Sequence, residues 1–171
     1  MKNILYDSGC NEKNMDYKIR EIKESEYSVL SDFLYEAIFI PKGMKKLPKS
    51  IIEQSELQIY IADFGKEDDW CLVAEVKGKI VGAVWVRIMN DYGHIDDETP
   101  SLAMSLYGEY RHLGIGTALM KAILHLLKEK GYKQTFLSVQ KENYAVNMYQ
   151  KIGFKVVSET EEEYIMVCEL Q

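Results

Sequence analysis

The feature that most constrains the fold of this chain is an amphipathic segment at residues 114–130. Its apolar residues recur in steps of three and one, and they are Ile115, Ala118, Leu119, Ala122, Ile123, Leu126 and Leu127. That spacing places all of them on one face of an α-helix, and such a face is buried against a core. Gly131 stands where a glycine commonly ends a helix. The segment therefore predicts a long helix that packs on the rest of the fold.

Apolar, β-branched runs on both sides of this helix predict strands. They are residues 17–22, 71–76, 80–89, 101–106, 133–139, 154–157 and 164–168. The second and third runs form a predicted hairpin, in which Gly78 supplies a positive φ. Gly82 interrupts the third run and indicates a bulge or a close approach of another part of the chain.

The remaining elements complete one domain. A helix is predicted after an N-cap at Ser25, and two more at residues 51–60 and 143–152. Strands mixed with helices in this order predict a single α/β (α+β) domain over residues 17–171. Residues 1–16 are polar and aperiodic, which predicts a flexible N-terminal arm.

Composition and charge exclude several classes of function. The 171-residue chain carries a formal net charge of −6 and has no basic stripe, which argues against nucleic-acid binding. Its three cysteines, Cys10, Cys71 and Cys168, are an odd, widely spaced set. They form neither a disulfide framework nor a metal site, and they fit a cytoplasmic protein. No apolar run approaches the roughly 20 residues that cross a bilayer, so no membrane association is expected.

A short loop between the strand at 101–106 and the long helix holds the most informative residues. Gly114 and Gly116 open the helix, whose first backbone N–H groups lack internal partners and favour an anion. The loop lacks the Lys and Ser/Thr of a P-loop, and Leu119 stands where a dinucleotide-binding loop needs glycine. A pair of purely structural glycines at a helix start remains an alternative.

Two motifs in order resemble the GCN5-related N-acetyltransferase (GNAT) family. Arg111-x-x-Gly114-x-Gly116 is similar to the coenzyme A loop of that family, Gln/Arg-x-x-Gly-x-Gly/Ala. Residues 143–154, NYAVNMYQKIGF, resemble its Asn-x-Ala…Tyr-x-Lys-x-Gly-Phe block. The resemblance implies a central mixed, mostly antiparallel twisted sheet flanked by helices. It also implies an acetyl-CoA-dependent N-acetyltransferase acting by direct attack of an amine, with acetyl-CoA as cosubstrate and no metal.

By the same resemblance, the backbone of Met104, Ser105 and Leu106 is expected to bind the pantetheine arm. The Leu106 N–H would hold the thioester carbonyl and its developing oxyanion. The backbone N–H groups that would surround the pyrophosphate belong to Arg111, His112, Leu113, Gly114, Ile115, Gly116 and Thr117. The Arg111 side chain can add positive charge. Gly108 and His112 depart from the usual family pattern, which has Pro and Gly there.

The resemblance also assigns the later block. Asn143 would hydrogen-bond the pantetheine or cap the next helix. Tyr149 is the expected catalytic acid, which would protonate the departing coenzyme A thiolate. Glu98, just before the strand, is the candidate base. Other candidates are His94, Asp96, Asp97 and Glu109, or an ordered water.

The acceptor is not read from the sequence. A small-molecule or peptide amine is implied, and Tyr35, Phe39, Trp85 and Tyr92 are candidates for lining its pocket or for the core. The alternative function is a non-catalytic coenzyme A-binding regulatory module. Analogy with the family also leaves a homodimer open.

Overall fold

The computed structural model describes residues 5–10, 15–89 and 93–171, and for residues 5–10 it gives the backbone alone. The strands are β1 (Leu5–Cys10), β2 (Asp16–Glu21), β3 (Trp70–Val76), β4 (Lys79–Arg87), β5 (Ser101–Leu106), β6 (Gln134–Gln140), β7 (Lys155–Glu159) and β8 (Glu163–Glu169). They form one eight-stranded sheet in the order β1-β2-β3-β4-β5-β6-β8-β7. All neighbours pair antiparallel except β5 and β6, which confirms the mixed, mostly antiparallel sheet.

The α-helices are α1 (Leu30–Ala37), α2 (Ser55–Gln58), α3 (Ile115–Glu129) and α4 (Ala145–Ile152). Short 3-10 helices lie at Glu24–Val29, Lys49–Glu53 and Gly108–Tyr110. The predicted N-cap at Ser25 is wrong, because the helical segment begins at Glu24 and its capping carboxylate is that of Glu26, which accepts from the Lys23 N–H. The single helix predicted at 51–60 is also wrong, because Gln54 adopts an extended conformation and separates two short helices.

One layer of helix covers each face of the sheet, and the strands alternate accordingly. In β3, Leu72 and Ala74 lie in the core with α3, whereas Cys71 and Val73 lie in the core with α1. This period of two is what a strand buried on both faces requires. The apolar stripe of α3 is buried as the sequence predicts except at Ala118, which is half-buried, and each buried Leu or Ile contributes roughly 1.5–3 kcal/mol of hydrophobic stabilisation.

The sheet opens between β5 and β6. These two strands run parallel and share one bridge among the described residues, Ser101↔Phe136. Beyond it β5 continues to pair with β4, and β6 continues to pair with β8. The second half of β5 therefore has a neighbour on one side only, and a gap faces its other edge.

Part of the predicted N-terminal arm is a strand. The sequence predicts a flexible arm over residues 1–16, whereas β1 lies inside that stretch and pairs antiparallel with β2. Backbone pairing with an edge strand needs no apolar periodicity, so the polar composition did not reveal it. Residues 1–4 and 11–14 lie outside the described residues. Among the described residues, no helix combines the length and apolar character that crossing a membrane requires.

Candidate active site

The free edge of β5 presents backbone groups to the gap in the sheet. The Tyr107 N–H donates to Val81 O across β4 at 3.0 Å, so odd-numbered residues of β5 direct their backbone groups toward β4. The N–H and C=O groups of Met104 and Leu106 therefore point into the gap. The Leu106 carbonyl is already used there, because it accepts from Arg111 Nε at 3.0 Å.

Leu106 is fixed between two glycines on neighbouring elements. A Cβ on Gly82 of β4 would lie 2.3 Å from Leu106 Cδ2, and a Cβ on Gly116 of α3 would lie 3.2 Å from Leu106 Cδ1. The register of β3 with β4 passes from Ala74↔Gly82 to Glu75↔Ile80, which leaves a bulge beside Gly82. The predicted bulge and close approach are both confirmed, and together they fix the end of β5 against the start of α3.

The loop that follows β5 exposes a cluster of backbone donors. His112 has a φ of 59° and Gly114 a φ of 84°, both in the left-handed region. Within the part of the chain that the structure describes, the backbone N–H groups of residues 112–117 have no hydrogen-bond acceptor. The first such bond of α3 runs from Ala118 N to Gly114 O at 3.1 Å. Successive unpaired N–H groups at a helix start form an anion-binding site that fits a pyrophosphate.

The Arg111 side chain fixes the loop instead of extending toward that anion site. Its guanidinium bonds Leu106 O at 3.0 Å, and it pairs with the Glu36 carboxylate at 3.1 Å and with Glu36 O at 3.2 Å. The expectation that the Arg111 side chain adds positive charge at the anion site stays a prediction, and in this structure the guanidinium is paired with Glu36. The ion pair joins the end of β5 to the end of α1.

A first cavity of about 500 Å³ lies beside this loop, between β5, α4 and the segment after α1. It is lined by Met104, Ser105, Leu106, Arg111, Asn143 and Tyr149 among the predicted binding residues. Apolar side chains of the segment after α1, including Ile38, Phe39 and Leu47, form the opposite wall. The structure thus brings Arg111 of the first sequence motif and Asn143 and Tyr149 of the second to one cavity, and residues 112–117 follow Arg111 directly in the chain.

A second cavity of about 320 Å³ lies across the gap, between β5 and β6. Its lining residues from β6 are Leu137, Ser138, Val139 and Gln140, and β8 adds Glu163. The two cavities share lining residues, namely Ala37, Ile38, Phe39, Met104, Asn143 and Tyr149. Molecules bound in the two cavities would therefore meet beside Met104 and Tyr149.

Tyr149 has the properties of a proton donor at that meeting point. Its side chain is 7% exposed and packs on Phe154, with ring centroids 5.7 Å apart. Its hydroxyl has no hydrogen-bond partner among the described residues, which is uncommon for a buried phenol. Burial raises the pKa of Tyr149 above its usual value, because the phenolate loses hydration. The phenol therefore carries its proton at neutral pH.

Two further residues of the motifs have structural contacts. Asn143 Oδ1 accepts from the Ala145 N–H at 2.9 Å, so its amide caps α4, while its position on both cavities remains as expected. His112 stacks on Tyr144, with ring centroids 4.5 Å apart and an interplanar angle of 35°. This pair links the donor loop to the start of α4.

The candidate bases are not brought to the cavities. Glu98 is exposed, and it lines a separate depression with Trp70 and Lys130 instead of either cavity. Asp96 and Asp97 line the same depression, and His94 bonds Met89 O and Asp97. Glu98 as base stays a prediction, and Glu98 lies just before β5 and lines neither of the two cavities.

Of the aromatic residues predicted to line the acceptor pocket, some line the cavities and others do not. Tyr35 lines the first cavity and Phe39 lines both. Trp85 is 1% exposed in the core under α1, where its indole N–H donates to Tyr60 O at 3.1 Å. Tyr92 lies outside the described residues. No group of three or more His, Cys, Asp or Glu side chains able to hold a metal ion occurs in the described ranges.

Sequence reasoning missed two residues of the second cavity, Gln140 and Glu163. They face each other across β6 and β8, and Gln140 Nε2 donates to Glu163 Oε1 at 2.9 Å. No local signal marked them, because Glu163 follows two other glutamates in a polar turn. Only the pairing of β6 with β8 brings Glu163 to the gap.

Comparisons with known proteins agree with this geometry. The sequence model of a family described as "Acetyltransferase (GNAT) domain" matches residues 29–167. An N-alpha-acetyltransferase of Sulfurisphaera tokodaii is 33% identical over 114 residues, which is 57% of this chain and 68% of that protein. The probable N-acetyltransferase san of Drosophila melanogaster is 31% identical over 127 residues, or 72% of this chain and 66% of that protein.

Solved structures show the same architecture. The PaiA N-acetyltransferase of Thermoplasma acidophilum, determined in complex with coenzyme A, superposes with a TM-score of 0.64 at 21% identity. The alignment covers 91% of this chain and 99% of that one. At this identity the likeness shows the fold, and with it the mixed sheet and the flanking helices.

Proposed function

We propose that this chain, which belongs to the GNAT acetyltransferase family, transfers the acetyl group of acetyl-CoA to the α-amino group of a peptide or protein. Membership of the family makes the chain an acetyl-CoA-dependent acyltransferase whose acceptor is an amine. The class of amine and the roles of individual residues are the proposal. The observation that carries it is the unpartnered phenol of Tyr149 where the two cavities meet.

The donor side of the site fits coenzyme A through backbone groups. The unpaired N–H groups of residues 112–117 suit the pyrophosphate, since they combine donors with the positive end of the α3 dipole. The free edge of β5 at Met104 and Leu106 suits the amides of pantetheine, which would pair with it as an added strand does. The first cavity would then hold the arm and bring the thioester to the gap.

The residues support direct transfer in one ternary complex. The neutral amine attacks the thioester carbonyl from the second cavity, and the Leu106 N–H stabilises the developing oxyanion. The C–S bond then breaks, and Tyr149 gives its proton to the departing thiolate. Desolvation raises the basicity of thiolate and phenolate alike, so the transfer between them stays balanced in this buried site. The products are the acetamide and free coenzyme A, and the proton released by the attacking nitrogen passes through water to the tyrosinate, which restores the phenol of Tyr149.

A peptide acceptor is favoured over a small molecule by the relative named N-alpha-acetyltransferase, of whose length the chain covers 68%. The second cavity also opens between strands β5 and β6, where an extended peptide end can enter. A cytoplasmic location is part of the proposal, and it is supported by the buried free thiols of Cys71 and Cys168.

The test is an acetyl-transfer assay that follows thiol release and product mass together. The acceptors are a panel of peptides with free N-termini, the same peptides with blocked N-termini and an internal lysine, and free polyamines. We expect acetylation at the α-amine of unblocked peptides and little transfer to the other two classes. Transfer to polyamines alone would contradict the peptide assignment, and tight coenzyme binding without any transfer would contradict catalysis.

A further inference from the structure

We infer that Glu163 recognises the acceptor, by pairing its carboxylate with the protonated amine that enters the second cavity. The inference rests on the proposed function and adds to it the residue that selects a cationic substrate. Among the described residues that line this cavity, Glu163 is the one charged side chain. The others are aromatic, aliphatic, thioether, hydroxyl or amide side chains, so the cavity presents a single negative charge. Such a site favours a cation over a neutral or anionic ligand.

The position of Glu163 is fixed from two directions. Gln140 Nε2 donates to Oε1 of its carboxylate at 2.9 Å, from the facing position on β6. Its backbone N–H donates to Thr160 Oγ1 at 3.1 Å, and its carbonyl accepts from the Thr160 N–H at 2.9 Å. The second carboxylate oxygen has no partner among the described residues, and it remains available for a ligand.

The charge of Glu163 is not neutralised by the protein. No ion pair to Glu163 occurs in the described part of the chain. Lys141 is adjacent to Gln140, but its ammonium pairs with Glu159 at 2.6 Å and lies 5.1 Å from the Tyr164 ring centroid. A carboxylate that is held in place, half-buried and without a cation is a site prepared for one from outside.

Recognition at this point also orients the amine for reaction. Glu163 lies on the β6–β8 side of the second cavity, and Tyr149 and Met104 lie at its boundary with the first. An amine that enters as an ammonium is attracted to Glu163. After it releases its proton to water it is already inside the cavity that opens on the thioester position. Glu163 is therefore expected to affect binding of the acceptor more than the chemical step.

The test compares Glu163→Gln, Glu163→Asp and the matched control Glu162→Gln, which changes an exposed neighbour in the same turn. Steady-state kinetics use the peptide that the wild-type chain acetylates best. We expect Glu163→Gln to raise the KM for the peptide about 10- to 100-fold, which is the range for losing a charged hydrogen bond, with little change in kcat. Glu163→Asp should recover part of the loss, and Glu162→Gln should match the wild type.

Coenzyme A affinity and thermal unfolding serve as controls for a structural effect. If Glu163→Gln proves unstable, Gln140→Leu provides a second measurement, since it releases the carboxylate without removing its charge and should raise the KM less. An unchanged KM in a folded Glu163→Gln variant would overturn the role of Glu163 and leave the proposed function intact. A collapse of kcat at constant KM would also overturn it, in favour of proton removal. Failure of the wild-type chain to acetylate any amine would instead overturn the proposed function.

Discussion

At the scale of single residues, Tyr149 is the group on which the proposed chemistry depends. Its hydroxyl makes no hydrogen bond within the described residues, and its ring packs on Phe154. Removing the oxygen should therefore leave the packing intact and remove only the proton that the thiolate needs.

We expect Tyr149→Phe to lower kcat by about 100- to 10,000-fold, the range for a lost general acid. The dissociation constant for coenzyme A should stay close to that of the wild type, because the phenyl ring keeps the cavity wall. Fixed-time assays of thiol release measure kcat, and calorimetric titration with coenzyme A measures the dissociation constant. A variant with nearly wild-type kcat would show that the thiolate leaves without help from Tyr149.

Single residues also show how far the sequence can point to the cavities. Tyr149 and Asn143 could be singled out because they belong to one contiguous block of sequence, and both line the two cavities. Glu98 and Glu163 both belong to acidic stretches of sequence, and no local feature of the sequence distinguishes them. The pairing of β6 with β8 places Glu163 at the cavity, and that pairing joins segments that the sequence does not relate.

At the scale of elements, the start of α3 depends on a backbone conformation. Gly114 has a φ of 84°, and no other atom lies within 4 Å of the position of a Cβ there. A residue with a Cβ at this position would therefore strain the backbone through its positive φ, but its side chain would not clash with other atoms. Gly108, in the same loop, also has free space for a Cβ, and its φ is not in the left-handed region.

We expect Gly114→Ala to cost about 1–2 kcal/mol, since that is the penalty of the left-handed conformation for a residue with a Cβ. Relaxation of the strain would move the N–H groups of residues 112–117, so coenzyme A affinity should fall together with stability. Gly108→Ala, the matched control, should leave both unchanged. Urea denaturation and coenzyme titration of the two variants test this, and equal behaviour of both would contradict it.

The elements themselves were predicted unevenly. The stripe of α3 and the runs of β3 to β6 are long and regular, so their periodicity predicts them within one or two residues. The region between α1 and β3 lacks such regularity. There Gln54 interrupts the helix, and the Gln58 side chain bonds Ile52 O at 2.7 Å across the break. This contact and the backbone pairing of β1 depend on the folded chain, which periodicity does not describe.

At the scale of the whole molecule, the buried acids set the response to alkaline pH. Burial raises the pKa of the Cys71 thiol, and it also raises those of Cys168 and Tyr149. Burial, with a hydrogen bond to Asp68, raises the pKa of Tyr132 to about 12. Each raised pKa means that the folded chain keeps a proton that the unfolded chain releases.

The free energy of unfolding should therefore fall as the pH rises above about 8.5, where the cysteine thiols of the unfolded chain ionise. It should fall faster above about 10, where the tyrosine phenols of the unfolded chain ionise as well. Each fully affected group contributes about 1.4 kcal/mol per pH unit. Below about pH 8.5 these thiols and phenols are protonated in both states, so their contribution to stability is fully present. Urea denaturation of the wild type and Cys71→Ala from pH 7 to 10 measures the effect, and the variant should show the shallower decline. Identical slopes would contradict the assignment to Cys71.

The cluster of unpaired N–H groups at residues 112–117 has a consequence for how such a chain can change over generations. An anion held by peptide nitrogens is held by atoms that every residue other than proline possesses. Mutation can therefore replace side chains such as Leu113 while binding of the cosubstrate persists, provided that the turn keeps its shape. Sequence change is then constrained chiefly at the few positions that set the shape of the turn. Residues that face the acceptor, such as Glu163, can vary and so change the substrate.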